Sequence, residues 1–225
     1  MKRATVASVA LGVLATAHIG ARLTGYGRLA DVTQPLLMPA VTARMASRGR
    51  LRPRLARWVG IGQVFACAGD TIPRFQSGTP ALRSMIGSFA LTHVAYLVGF
   101  TPAAIRRARS APVQLAGAAL GYAALYLAVV RLCDAKAREL GLQNMMATYG
   151  ALLAATGVVT AAHGGKGAVG GALFVGSDML IALREFVPGW DPRVRHVRVG
   201  DPLIMASYVA AQTLIADAVS GPPDR

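Results

Sequence analysis

Apolar residues along this chain fall into blocks of about 15 to 20, and arginines gather between the blocks rather than within them. A soluble amphipathic helix would repeat its apolar positions every three or four residues, and a half-buried strand would alternate them; neither rhythm is sustained here. A helix needs roughly 20 residues to cross the hydrocarbon core of a bilayer. The blocks therefore predict an all-α integral membrane protein, a bundle of about eight transmembrane helices. Their predicted ranges are 4–23, 32–46, 55–73, 84–101, 113–133, 144–162, 167–186 and 202–219. Eight such spans occupy about 160 positions. That leaves no room for an extramembrane domain, and residues 1–225 read as one polytopic membrane domain.

Two spans invite a second reading. The block at 32–46 would reach only about 22 Å as a helix, and Pro35 and Pro39 interrupt its start, so a tilted, broken or partly re-entrant segment is expected there. The first block begins with Lys2 and Arg3 and passes through Ala15-Thr16-Ala17, the outline of a cleavable signal peptide. Its apolar run continues to Leu23, which favours a retained helix. Gly117 with Gly121, and Gly167 with Gly171, form small-xxx-small pairs that let helices pack closely.

Composition agrees with a bilayer. The chain is 54% hydrophobic and 15% charged, where a soluble domain would carry about a quarter charged residues. A net charge of +14 would ordinarily suggest nucleic acid. Here, however, the arginines cap apolar blocks, where they meet lipid phosphates, and nowhere interleave with aromatics, so nucleic-acid binding is excluded. With both termini on one side, Lys and Arg divide 13 to 11 in favour of that side. Six of the 13 lie between spans two and three: Arg44, Arg48, Arg50, Arg52, Arg54 and Arg57. Short basic loops stay inside, which places the termini on the cytoplasmic face of the cell membrane. Of the ten acids only Asp217 and Asp224 belong to that side. Asp31, Asp134, Glu139, Glu185, Asp191 and Asp201 fall near the opposite ends of the spans, and Asp70 and Asp178 fall within spans.

An ionisable group at membrane depth is costly and marks a candidate site. Asp70 stands late in span three and Asp178 midway along span seven; the two spans run in the same direction, so the geometry allows a shared cavity. The bland alternative for Asp70 is an ion pair with Arg74 four residues on. Asp178 has no basic neighbour at helical spacing and needs a partner from another helix. Span four carries Ser84, Ser88, Thr92 and Tyr96 in a polar stripe beside His93; span five has Gln114, Tyr122 and Tyr126, and span eight has Asp201, Tyr208 and Gln212. Such stripes mostly join helices by hydrogen bonds, while His93 is equally able to orient a carboxylate, relay a proton or sit satisfied in the core. Cys67 and Cys133 have no metal-ligand spacing and read as small core residues. There is no phosphate-binding Gly loop, no HExxH and no GxSxG, which removes nucleotide, zinc-protease and serine-hydrolase readings.

The order and spacing of Phe65-x-x-x-Gly69-Asp70, His93-x-x-Tyr96 and Leu173-Phe174-x-x-Ser177-Asp178 resemble the YhhN family of lysoplasmalogenases. Pro35-Leu36-Leu37-Met38-Pro39 and Tyr208-x-x-x-Gln212 fit the same pattern, so the resemblance runs from about residue 32 to 217. It implies an eight-helix membrane enzyme that cleaves the vinyl-ether bond of a lysophospholipid to a fatty aldehyde and a glycerophospho-choline or -ethanolamine. It also implies that Asp70 and Asp178 are catalytic, with Gln34, His93, Tyr96, Ser177, Tyr208 and Gln212 supporting them or the substrate. No metal or other cofactor is implied. One carboxylic acid would protonate the vinyl carbon and the other would stabilise the cation and activate water. Asp178, the deeper, is assigned the acid role and Asp70 the other, an assignment that can be exchanged. The sequence departs from the family at Gln34, where many members have Lys, and at Ala66, where the family has Ser. Buried Asp, His and Tyr also build proton relays, so a small proton-coupled transporter is the rival reading, and a lipid-binding or scaffolding member of the fold without this activity is the third.

Overall fold

The computed structural model describes residues 2–49, 51–190, 192–194 and 197–220. Arg50, Asp191 and Asp224, and the side chain of Lys2, lie outside the described residues. Eight helices follow one another among them: α1 (Lys2–Thr24), α2 (Gly27–Ala46), α3 (Pro53–Thr71), α4 (Gly78–Ser110), α5 (Pro112–Glu139), α6 (Gln143–His163), α7 (Gly165–Phe186) and α8 (Gly200–Ala218). A 3₁₀ turn (Ile72–Phe75) ends α3. Between α7 and α8 a hairpin of β1 (Arg193–Val194) and β2 (Val197–Arg198) sets Arg193 opposite Arg198. The alternating run of apolar blocks did not announce that hairpin.

The all-α class holds, and five of these helices (α1, α4, α5, α6 and α7) are long and apolar enough to cross a membrane. The expected count of eight spans is thus met as eight helices, not as eight apolar ones. The physical reason lies in α2, α3 and α8, which turn polar side chains inward: Thr33, Gln63, Asp70, Gln212 and Asp217 are all buried. Nor is α2 broken. It runs continuously through Pro35 and Pro39. Pro39 has no N–H to offer the carbonyl of Pro35, and the Cys67 thiol of α3 takes that carbonyl instead at 3.5 Å.

Close approach between helices is bought with glycine. A Cβ on Gly62 of α3 would lie 2.2 Å from the Tyr96 ring, and one on Gly69 would lie 2.8 Å from the Phe89 ring. On α7, a Cβ on Gly171 would strike the Thr160 hydroxyl, and one on Gly170 would lie 2.9 Å from the backbone nitrogen of Ile215. The pair Gly167 and Gly171 therefore sits at a packed face, although Gly170 makes the approach to α8. Gly117 and Gly121 do not behave as expected: nothing lies within 4 Å of a Cβ at either, because that face of α5 is turned away from the bundle.

The end of the bundle where α1 begins and α8 ends is tied by Asp217. It accepts from Arg44 of α2 at 2.5 Å and pairs with Arg48 at 2.9 Å and with Lys166 of α7 at 3.1 Å. Replacing Gly170 with Leu is expected to lower stability by about 1–3 kcal/mol, since backbone cannot yield. Gly117→Leu should leave the midpoint of thermal unfolding in detergent unchanged, and the pair of variants measured together checks the packing.

Candidate functional site

At the opposite end of the bundle two carboxyls are buried, Asp70 at 6% exposure and Asp178 at 4%. Asp70 stands on the last turn of α3, and both of its oxygens are occupied. The Tyr208 hydroxyl of α8 donates to Oδ2 at 2.9 Å, and Gln34 Nε2 of α2 donates to Oδ1 at 3.1 Å. The Gln34 amide cannot turn round, because its carbonyl oxygen accepts from Arg22 at 2.7 Å and from Arg74 at 2.5 Å. Arg74 makes no ion pair with the Asp70 carboxylate. Its guanidinium reaches the Asp70 backbone carbonyl at 3.0 Å and crosses to Asp31 on α2, so Arg74 stands beside Asp70 without bonding its carboxylate.

Asp178 is held differently. Tyr149 of α6 donates to Oδ2, His93 Nε2 of α4 lies 3.3 Å from the same oxygen, and the Ser177 hydroxyl approaches Oδ1 at 3.4 Å. His93 is anchored through its other nitrogen as well: Nδ1 is 3.2 Å from the Thr156 hydroxyl of α6. Nε2 also lies 3.3 Å from the Tyr149 hydroxyl, so His93, Tyr149 and the Asp178 carboxyl form one hydrogen-bonded cluster. Asp178 thus stands against an imidazole and a phenol, whereas Asp70 is held by an amide and a phenol.

The donors come from matching places. Asp70 of α3 is held by the helix before it, α2, and by α8; Asp178 of α7 is held by the helix before it, α6, and by α4. Each set of four helices thus lends its last member to the other's carboxyl.

The two carboxyls do not share one cavity. A cleft with about 100 Å³ of water-sized space reaches Asp70 and Tyr208 past Arg22, Gln34, Arg184 and Asp201. Asp178 instead lines two narrow apolar grooves, of about 30 Å³ and about 40 Å³, bounded by α4, α5, α6 and α7. Met85, Phe89 and Ile181 line both the cleft and the smaller groove, and form the wall between the carboxyls.

Of the residues singled out in the sequence, Gln34, His93, Ser177 and Tyr208 touch a carboxyl. Tyr96 and Gln212 do not: they bond to each other, fully buried, and join α4 to α8. Tyr149, Thr156 and Arg22 were missed. Tyr149 is a lone phenol among apolar residues of span six, and Arg22 closes an apolar run; both features were visible, but nothing in the spacing tied them to a carboxylate elsewhere.

A family model described as the YhhN family matches residues 29–219, from the first turn of α2 to just past the end of α8. The chain belongs to the YhhN family. No curated protein and no solved structure matches it. Both carboxyls and all their donors lie within the part shared with the YhhN family, while α1, with Arg22, lies before it.

Replacing Gln34 with Ala would leave two partly buried guanidiniums and Asp70 each short of a partner. A loss of about 1–3 kcal/mol is expected, read as a lower thermal midpoint in detergent.

Proposed function

We propose that this chain is a membrane-embedded ether hydrolase that cleaves the vinyl-ether bond of lysoplasmalogens, releasing a fatty aldehyde and a glycerophospho-choline or -ethanolamine. The observation that carries the proposal is the unequal bonding of two buried carboxyls. Asp178 is held by the His93 imidazole and the Tyr149 phenol against an apolar groove, and Asp70 accepts from Gln34 and Tyr208 beside a cleft lined by Arg22, Arg184 and Asp201. Vinyl-ether hydrolysis needs that inequality, because one group must give a proton to carbon while the other receives one from water. Membership of the YhhN family supports the same reading.

The lipid tail lies in the apolar grooves and the glycerol end in the cleft, with the vinyl ether crossing the wall of Met85, Phe89 and Ile181. Asp178 delivers its proton to the vinyl carbon farther from oxygen, and the remaining carbon–oxygen unit becomes an oxocarbenium ion. Asp70 takes a proton from water as the water oxygen bonds to the cationic carbon, giving a hemiacetal. Collapse reverses both roles: Asp178 recovers a proton from the hemiacetal hydroxyl, the carbon–oxygen bond to glycerol breaks, and Asp70 protonates the departing oxygen. His93 and Tyr149 hold Asp178 through the cycle, and Tyr208 and Gln34 aim Asp70. The continuity of α2 removes one feature, a broken helix, that would have favoured the transporter reading.

Purified protein is expected to release aldehyde from lysoplasmenyl-ethanolamine. Asp178→Asn and Asp70→Asn should each lower the rate by about 10²-fold or more while keeping the thermal midpoint. In deuterium oxide the aldehyde should carry deuterium on the carbon next to its carbonyl. Release that survives both substitutions, or aldehyde without that label, would overturn the mechanism.

A further inference from the structure

The larger of the two grooves at Asp178 runs between α5, α6 and α7, and its two ends differ. At one end Met146 and Ala182 line it, and with Tyr149 and Asp178 they also line the smaller groove. The two grooves therefore join there and lead to the wall of Met85, Phe89 and Ile181, behind which Asp70 stands. At the other end the lining is Tyr122 of α5, Leu153 and Ala154 of α6, and Val175 of α7.

Tyr122 and Tyr126 share one face of α5, and each ring rests where α6 carries a glycine. A Cβ on Gly150 would lie 2.9 Å from the Tyr126 ring, and one on Gly157 would lie 2.5 Å from the Tyr122 ring. Gly157 falls one turn beyond Ala154, the last residue of α6 in the lining, so the Tyr122 ring marks where the groove stops. Asp178 fixes the other reference point. Tyr149, next to Gly150, bonds its carboxyl, which places Asp178 at the level of Gly150. From Gly150 to Gly157 α6 rises about 10 Å, roughly eight carbons of an extended hydrocarbon chain.

We propose that Tyr122 is the stop that sets which tail lengths this protein accepts. An unbranched tail whose vinyl carbons lie at Asp178 runs along the groove until its end meets the Tyr122 ring, and a longer tail must turn out into the bilayer. The proposal rests on the reading of this groove as the tail site. A methylene gains little by moving from lipid into an equally apolar groove, so hydrophobicity alone cannot select a length. Fit can, because a packed interior resists overfilling.

The two sides of the stop give opposite signs. Tyr122→Ala opens the groove from the level of Ala154 to that of Gly157, about 4.5 Å of helix or roughly four carbons. Ala154→Phe fills the space in front of the ring and shortens the groove. Tyr122→Phe keeps the ring and removes only the hydroxyl.

The experiment measures binding of a series of alkyl lysophosphoethanolamines of increasing tail length to the full-length protein in detergent. Their saturated ether is left intact by the proposed chemistry. In wild type the affinity should rise with tail length up to a break and stop rising beyond it. The break should move to longer tails by roughly four carbons in Tyr122→Ala, to shorter tails in Ala154→Phe, and not at all in Tyr122→Phe. A ring that only tied α5 to α6 would lower the thermal midpoint when removed and leave the break in place, which would overturn the proposal. A wild-type profile without a break, or a break that moves in Tyr122→Phe, would overturn it too. Aldehyde release without any break would keep the hydrolase reading and remove the stop. A break that moves as expected in a protein that releases no aldehyde would sink the hydrolase reading and leave the stop standing.

Discussion

A carboxyl group away from water must find hydrogen-bond donors or neutralise. For Asp70 and Asp178 they come from four other helices, α2 and α8 for one and α6 and α4 for the other. In a bilayer no hydrophobic force distinguishes helix–helix from helix–lipid contact, so these bonds and close packing carry the association. The rest of the arrangement is compatible with them. Gly62 and Gly69 bring α3 against α4, and Gly170 brings α7 against α8, which sets Tyr208, His93 and the carboxyls at reach. At the far end Asp217 draws α2, α7 and α8 together around a second charged centre.

The exchange of last helices between the two sets of four makes the site a property of the whole bundle. Neither α1–α4 nor α5–α8 holds a complete donor set. Tyr96 and Gln212, fully buried and bonded across α4 and α8, pin the two exchanged helices to each other below the site. They join helix to helix, while His93 and Tyr208, one turn away on the same two helices, meet the carboxyls themselves.

Much of this was legible in the chain. Apolar block length located every helix, and the two acids inside blocks are the buried carboxyls Asp70 and Asp178, because both signals are local and their cost in hydrocarbon is large. Ends were less legible: α4 runs to Ser110 and α5 to Glu139, since a helix continues past the membrane wherever nothing stops it. Pro35 and Pro39 suggested a break that Cys67 prevents from the neighbouring helix, a contact no spacing within α2 could reveal. Tyr149 and Arg22 were overlooked for the same reason. A tyrosine in an apolar run becomes a ligand only when α6 is laid beside α7, and an arginine at the end of α1 only when α2 presents Gln34 to it. Gly117 and Gly121 show the converse: a packing motif is a statement about one surface, and here that surface meets no helix of the same chain.

The wall of Met85, Phe89 and Ile181 gives the molecule two doorways of opposite character, an apolar one among α4–α7 and an arginine-rimmed one beside α1 and α8. On the proposed chemistry the two products have equally opposite tastes: a long aldehyde that dissolves in oil and a glycerophosphodiester that dissolves in water. Each can depart through the doorway it already occupies, so neither waits for the other and neither crosses a medium it dislikes. Turnover would then leave a reactive aldehyde in the bilayer rather than in the aqueous phase, handing it directly to whatever membrane-bound oxidation or reduction follows.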